Sequence, residues 1–249
     1  MCLRATRGPC TFLRHMRVHE PPSDQVHYVI LPGAGSAGLP WEVVAAQLGA
    51  EVLPVPDEPD VAAMAAAVEP AVAALSRPRV LVGTSLGAMV ALEVARRVDV
   101  DALVLIAAGF GISVADSVLD WVASNPPDLL EKMARIGLAD RDNERLAAIR
   151  LADFTARGQP LLLNHLRALA AYHPVPLEQP PPTFVVWGEH DRGVPLAAHV
   201  ELALRCHGVL IPIRDAGHAP FLERPDETVA WIRATAGRAA PSPTPTPAT

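Results

Sequence analysis

Ser85 is the residue whose surroundings most clearly favour nucleophilic chemistry. It lies in the pentapeptide Gly83-Thr84-Ser85-Leu86-Gly87, between the apolar run 80–82 and a run of small and apolar residues at helical spacing. This pattern is typical of a nucleophile elbow, a sharp turn from a strand into a helix. Gly83 and Gly87 flank a serine that the turn forces towards positive φ, and a Cβ at either position is expected to collide with the facing strand or helix.

The composition excludes several classes of protein. The chain has 249 residues, 50% of them hydrophobic, and a formal net charge of −6, with no basic cluster beyond the first seventeen residues. We therefore expect one α/β domain and no nucleic acid or anionic membrane surface as a partner. Three scattered cysteines, without a Cys-x-x-Cys pair or a His/Cys cluster, indicate a reducing, cytoplasmic location and no metal site. No segment is suited to membrane insertion.

Apolar runs alternate with helical patterns along most of the chain. Runs typical of strands occur at 26–31, 51–55, 79–84, 102–107, 183–187 and 209–213. Helical patterns separate them at 41–48, 61–75, 86–98 and 196–206, with another at 228–236. This alternation predicts an α/β fold with a mostly parallel central sheet and helices on both faces. Pro70 lies inside one helical pattern and predicts a kink or a break there.

One long segment, 113–172, contains no strand pattern. Its apolar residues recur at helical spacing in three groups, separated by breaks at 125–127, 137–142 and 158–160. Because the segment follows the strand at 102–107, we expect it to cover the carboxyl ends of the strands, where ligands bind in open α/β sheets. The predicted units are a disordered or edge segment at 1–20, with a short strand at 11–19, and a core formed by 21–112 together with 173–238. The others are a helical cap at 113–172 and a disordered tail at 239–249.

Four stretches of the chain resemble the α/β-hydrolase fold enzymes that carry a helical lid. They lie at 31–35, 83–87, 187–191 and 215–225, and the resemblance extends over about 26–236. The chain order of serine, aspartate and histidine also agrees with that fold. The resemblance implies that Ser85 is the nucleophile, that His218 is its general base and that Asp191 orients His218.

The resemblance also implies an oxyanion hole made by the backbone N–H groups of Ala34 and Leu86. Leu86 opens a helix, where unpaired donors and the helix dipole favour negative charge. Gly33 and Gly35 are expected to let the backbone approach the substrate oxygen closely. Many members of the fold have a histidine where this chain has Pro32, and that histidine often braces the loop. Here the proline itself is expected to stiffen it.

Several carboxylates compete with Asp191 for the role of the orienting acid. They are Glu189, Asp116 and Asp215. Asp215 is only three residues from His218, which is too local for the usual geometry between two loops. Asp191 is therefore the preferred acid.

Other histidines compete with His218, and we favour a structural interpretation for each. His190 is interpreted as a solvated loop histidine, because no metal-binding cluster accompanies it. His165 and His173 are placed in the cap. They could line the pocket, but histidines of such helices more commonly lie on the helix surface, and we prefer that interpretation. The cap leucines and Trp121 are interpreted as the packing face of the cap. That some of them also line an apolar substrate pocket is a hypothesis.

The leading hypothesis is a serine hydrolase that needs no cofactor and cleaves an ester of a small to medium, largely apolar substrate through an acyl-enzyme. The same triad also serves C–C bond hydrolysis, thioester hydrolysis and perhydrolysis, which stay open. A non-catalytic ligand-binding protein is the alternative from another class. The expected partner is a small-molecule substrate, and the sequence leaves a homodimer open.

Overall fold

Six parallel strands form the central sheet of residues 26–239, the part of the chain that the computed structural model describes. The strands are β1 (His27–Leu31), β2 (Glu51–Val52), β3 (Arg79–Thr84), β4 (Ala102–Ile106), β5 (Thr183–Gly188) and β6 (Val209–Ile213). Their order across the sheet is β2-β1-β3-β4-β5-β6, and each neighbouring pair is parallel. The predicted parallel sheet is thereby confirmed. The strand at 11–19 and the segments 1–20 and 240–249 lie outside the described residues.

Helices connect the strands. They are α1 (Glu42–Leu48), α2 (Val61–Ala74), α3 (Leu86–Val94), α4 (Asp116–Ser124), α5 (Leu129–Ile136), α6 (Glu144–Ala171), α7 (Leu196–Arg205), α8 (Pro220–Glu223) and α9 (Pro225–Ala239). Apolar residues of α2, α3 and α7 pack on one face of the sheet, and those of α1 and α9 pack on the other. The predicted α/β class with both faces covered is therefore confirmed.

Burial on both faces explains why the central strands are continuous apolar runs. Successive side chains of a strand point to opposite faces, so Leu81 packs in one core cluster while Val80 and Val82 pack in the other. All three are at most 1% exposed. A strand with alternating polar residues would leave polar groups unpaired on one of these faces, so only an apolar run suits this position.

Three helices, α4 to α6, follow β4 and precede β5, and we call them the cap. Inside α6, Gly158 has φ 81° and ψ 165°, and this non-helical residue with Pro160 divides the helix at the predicted break. The cap has its own apolar cluster, whose buried members are Val122, Leu129, Ala134, Phe154, Leu162 and Leu166. Helices are thus present at all three predicted positions.

One local prediction was wrong, and another was wrong in part. Helix α2 continues through Pro70, so the predicted alternative of a break there does not hold. The carbonyl of Ala66, which loses its helical partner to the proline, belongs to an exposed residue, where water can bind it. Strand β2 contains two residues rather than the predicted 51–55. The N–H of Leu53 still donates to the carbonyl of Ile30, but the next donor of this ladder would be Pro32, which has no N–H.

Candidate active site

Ser85 lies in a strained turn at the carboxyl end of β3. Its backbone has φ 52° and ψ −116°, a conformation that a residue with a side chain rarely adopts. Its N–H donates to the carbonyl of Ile106 at the end of β4, 2.9 Å away, which helps to hold the turn. Strain of this kind concentrates at functional sites. The turn between β3 and α3 is the one that the pentapeptide predicts.

The two glycines of the pentapeptide are sterically required. A Cβ on Gly83 would lie against the backbone of Gly87 and Ala88, and a Cβ on Gly87 would overlap the carbonyl oxygens of Leu31 and Pro32. Backbone atoms cannot move aside as a flexible side chain can. Helix α3 therefore starts close to the end of β1, which brings the loop after β1 towards Ser85.

His218 and Asp191 meet at the carboxyl end of the sheet. Asp191 follows β5 and His218 follows β6, and His218 Nδ1 lies 2.9 Å from Asp191 Oδ2 and 3.1 Å from Oδ1. The side chain of Asp191 is fully buried, whereas that of His218 is 22% exposed. Because a carboxylate only accepts, Nδ1 carries the proton, and Nε2 is left to accept a proton from elsewhere.

The surroundings of Asp191 keep it ionised. Burial alone would raise the pKa of Asp191, but the charge and hydrogen bond of His218 oppose it. The backbone N–H groups of Gly193 and Val194 also donate to Asp191 Oδ1, at 2.8 and 3.0 Å. Together these contacts hold the pKa of Asp191 below its usual value. The carboxylate is thus a fixed negative charge beside the imidazole.

Contacts with the cap hold the loop that carries His218. The His218 N–H donates to the carbonyl of Gly137 at 2.8 Å. Glu223 accepts from Gly217 and from Ala139, each at 2.7 Å, and so joins the histidine loop to the turn after α5. Burial raises the pKa of Glu223, although these backbone donors oppose it. Sequence reasoning missed Glu223, which lies eighty-four residues from one of its two partners.

Ser85 and His218 line one cavity of about 130 Å³. No hydrogen bond joins the two side chains within the described residues, and such bonds are often looser before substrate binds. Most of the wall is apolar, made by Ala34, Pro40, Trp41, Met133, Phe154, Leu162, Leu166 and Phe221. Four of these residues belong to α5 and α6, so the hypothesis that the cap contributes to an apolar pocket is supported by the geometry. Trp121 packs in the cap cluster instead.

Two backbone donors near the serine are unused. Neither the N–H of Ala34 nor that of Leu86 makes a hydrogen bond to another residue in the described range. Leu86 is the first residue of α3, and the first N–H groups of a helix have no intrahelical acceptor. Gly33 brings the loop after β1 close to the turn, because a Cβ there would be 3.5 Å from that of Ser85. Two donors are thus available at the elbow.

The structure corrects the preferred interpretation of His165. It is a fully buried residue rather than a residue on the helix surface, and its Nδ1 lies 3.1 Å from the backbone nitrogen of Gly35. Asp153, which the sequence reasoning did not consider, is 2% exposed and also contacts the segment after β1. His173, the other histidine considered, follows the end of α6 and is exposed.

The remaining competitors lie away from Ser85 or in solvent. Asp215 pairs with Arg224 at 2.9 Å, and Asp116, Glu189 and His190 are exposed. Among the described residues, no group of three or more His, Cys, Asp or Glu side chains is arranged to hold a metal ion. In the same range, no helix combines the length and hydropathy needed to cross a bilayer.

Solved structures with this fold include enzymes that act on esters. A thermophilic esterase is 21% identical and superposes with a TM-score of 0.74, over 87% of this chain and 90% of its own. The enol-lactonase from Burkholderia xenovorans LB400 is 19% identical with a TM-score of 0.73, over 86% and 92% of the two chains. The type II thioesterase BorB from the borrelidin biosynthetic cluster is 22% identical with a TM-score of 0.65, over 85% and 93%. At these identities the similarity establishes the fold.

A search of curated protein sequences finds no match. The sequence profile of the alpha/beta hydrolase family, in contrast, matches residues 23–231, well over half of the chain. The matched region contains the serine turn, the histidine–aspartate pair and the cap. This protein therefore belongs to the alpha/beta hydrolase family.

Proposed function

We propose that this protein is a serine hydrolase that cleaves esters of small, largely apolar acids through an acyl-enzyme. The observation that carries the proposal is the convergence of Ser85, His218 and Ala34 on one apolar cavity. Each of the three comes from a different loop at the carboxyl edge of the sheet. Convergence of a hydroxyl, an imidazole and a backbone donor is what acyl transfer requires.

The proposed reaction has two steps. In the first, His218 Nε2 takes the proton of Ser85 Oγ as that oxygen attacks the ester carbonyl carbon. The N–H groups of Ala34 and Leu86 bind the oxyanion, and the alcohol leaves with the proton from His218. In the second, His218 takes a proton from water as the water oxygen attacks the acyl carbon. His218 then returns the proton to Ser85 Oγ as the bond between Oγ and the acyl carbon breaks and the acid leaves. Asp191 stabilises the imidazolium that forms in both steps.

The size of the cavity limits the substrate. Its volume of about 130 Å³ is close to that of an engineered apolar cavity, of about 150 Å³, that binds benzene. A short acyl chain or one ring is therefore the expected occupant. Apolar side chains form most of its wall and favour an apolar acyl group, while Arg150 and Asp153 are the charged residues that also line it.

A panel of substrates tests this assignment. We expect p-nitrophenyl acetate and butyrate to be hydrolysed, and Ser85→Ala and His218→Ala each to lower kcat by about 10⁶, as in other serine hydrolases. Asp215→Asn is the matched control and should keep wild-type turnover, because Asp215 pairs with Arg224 at the surface. Turnover near that of the wild type in Ser85→Ala or His218→Ala contradicts the mechanism.

The same panel separates the alternatives. A thioester and a vinylogous diketone test thioesterase and C–C hydrolase activity with the same catalytic residues. A folded wild-type protein that binds these compounds but converts none of them supports a non-catalytic ligand-binding role.

A further inference from the structure

We propose that Asp153 and His165 of the cap are positioning residues, which hold the loop after β1 so that the N–H of Ala34 faces the oxyanion. The inference rests on the proposed function, because it concerns the same oxyanion hole. It makes the cap a part of the catalytic arrangement as well as a wall of the pocket.

The contact of His165 fixes its protonation. Its Nδ1 lies 3.1 Å from the N–H of Gly35, which can only donate, and its Nε2 lies 3.0 Å from the carbonyl of Pro56, which can only accept. His165 is therefore neutral, with its proton on Nε2. Burial favours the same state, since it lowers the pKa of His165. The ring thus accepts a bond from the residue next to Ala34.

Asp153 holds the same loop a few residues further along the chain from Ala34. Its Oδ1 accepts from the N–H of Ala37 at 2.9 Å and from that of Leu39 at 3.0 Å. A carboxylate that is 2% exposed depends on such donors, and the bonds to a charged acceptor are stronger than those between neutral groups. The contacts of His165 and Asp153 together hold residues 35 to 39, which directly follow Ala34.

Helix α6 can approach the loop because Gly35 has no side chain. Gly35 has φ +70°, and a Cβ there would be 3.0 Å from Cδ1 of Leu162. Leu162 and His165 are one helical turn apart, so they present the same face of α6 to the loop. Pro32 supplies no side chain that could donate or accept a hydrogen bond. Within the loop, Ser36 Oγ accepts from the N–H of Gly38. Among the described residues, the side-chain hydrogen bonds that join the loop to another element come from the cap.

The placement of Ala34 matters because an oxyanion donor must lie about 2.7–3.1 Å from the developing charge. A misplacement of about 1 Å can cost roughly 10²-fold in rate. Weakening the contacts of α6 is therefore expected to lower kcat more than it raises KM, since the donor acts mainly in the transition state.

The test compares two substitutions, each of which keeps a hydrogen-bonding group at the position of one ring nitrogen of His165. In His165→Asn the amide oxygen takes the place of Nδ1 and can accept from Gly35, whereas in His165→Gln the amide reaches towards Pro56 as Nε2 does. We expect His165→Gln to lower kcat for p-nitrophenyl butyrate about 10–100-fold with KM within about threefold. His165→Asn should stay within about fivefold of the wild-type kcat. The affinity for a butyl boronic acid, which forms a tetrahedral adduct, should fall in parallel with kcat.

A neighbouring residue supplies the control. Asn164 also joins α6 to the core, through Asp57 at 2.6 Å and the carbonyl of Glu58 at 3.0 Å. Among the described residues, it makes no hydrogen bond to the loop after β1. Asn164→Ala should lower the melting temperature and leave kcat unchanged. If His165→Gln does not fold, Asp153→Asn and Asp153→Ala replace the pair, and only Asp153→Asn keeps an acceptor.

The outcomes separate the two proposals. Equal kcat for His165→Asn and His165→Gln, or a loss in Asn164→Ala as large as that in His165→Gln, shows that the contact is merely structural and overturns the positioning role. Ser85→Ala is measured beside them. If it keeps turnover, or if the wild type hydrolyses no ester, the proposed function fails and the positioning role fails with it.

Discussion

His218 Nδ1 and Asp191 Oδ2 lie 2.9 Å apart, although the two residues belong to loops after different strands. The carboxylate is fully buried and has two backbone donors of its own. This geometry fixes which imidazole nitrogen carries the proton, and it leaves Nε2 free to act as a base.

Asp191→Asn should therefore lower kcat by about 10⁴ while the protein stays folded, because an amide at this position favours the wrong tautomer of the imidazole. The measurement is ester hydrolysis together with a melting curve. Glu189→Gln is the matched control, since Glu189 is exposed in the same loop. Equal activities of the two variants would mean that Asp191 does not orient His218.

Gly87→Ala tests the steric account of the serine turn. Because the new Cβ would overlap backbone oxygens of Leu31 and Pro32, we expect a loss of about 3 kcal/mol or more in the free energy of unfolding. Gly237→Ala is the control, because nothing lies within 4 Å of a Cβ at that position in α9. That substitution should raise the free energy of unfolding by roughly 0.5–1 kcal/mol. If urea unfolding gives Gly87→Ala the same free energy of unfolding as the wild type, the close packing of this turn is contradicted.

Buried histidines predict how stability depends on pH. His165 and His199 are fully buried, and burial lowers the pKa of each. As the pH falls through about 6.5, the unfolded chain binds protons that the folded chain does not, so the free energy of unfolding decreases. Stability should thus be full above about pH 6.5 and lost progressively below it.

Urea unfolding of variants at pH 7.5 and pH 5.5 measures this effect. The wild type should lose free energy of unfolding between pH 7.5 and pH 5.5. His199→Asn should reduce this loss by up to ~1.4 kcal/mol per pH unit, since one titrating group is removed. His173→Asn, at an exposed position, should leave the loss unchanged. If the free energy of unfolding depends on pH in the same way in His199→Asn and in the wild type, His199 is not a cause of that dependence.

The cavity predicts a preference for short acyl chains. In a series of p-nitrophenyl esters, kcat/KM should be highest for acetate to butyrate and fall steeply by decanoate. Phe154→Ala enlarges the cavity and should move the optimum to longer chains. Leu204→Ala, at a residue that is 71% exposed, should not move it. A wild-type enzyme that prefers decanoate would show that this cavity is not the acyl site.

The parts of the site that follow local rules were predictable from sequence. The turn at Ser85 needs glycine at 83 and 87 for steric reasons, and parallel strands bring their carboxyl ends to one edge of the sheet. Ser85, Asp191 and His218 each follow a strand, so their arrival at the same edge follows from the topology. The proximity of Asp191 to His218 is an observed distance, whereas their catalytic roles stay predictions.

The contacts made by the cap were not predictable in the same way. His165 and Gly35 are 130 residues apart, and the pattern of α6 does not show which polar residue faces the core. A buried histidine on an amphipathic helix has the same sequence pattern as an exposed one at the edge of the apolar stripe. Asp153 gave no signal either, because its partners are backbone N–H groups, which no side-chain motif reveals.

Covalent labelling of Ser85 tests the central claim most directly. The wild-type protein, treated with a fluorophosphonate and digested, should give one modified peptide with the adduct on Ser85, while Ser85→Ala gives none and Asp215→Asn labels as the wild type does. His218→Ala should label far more slowly, because the base is missing. A folded wild-type protein that stays unlabelled, or an adduct on another residue, would contradict the proposal that Ser85 is the nucleophile.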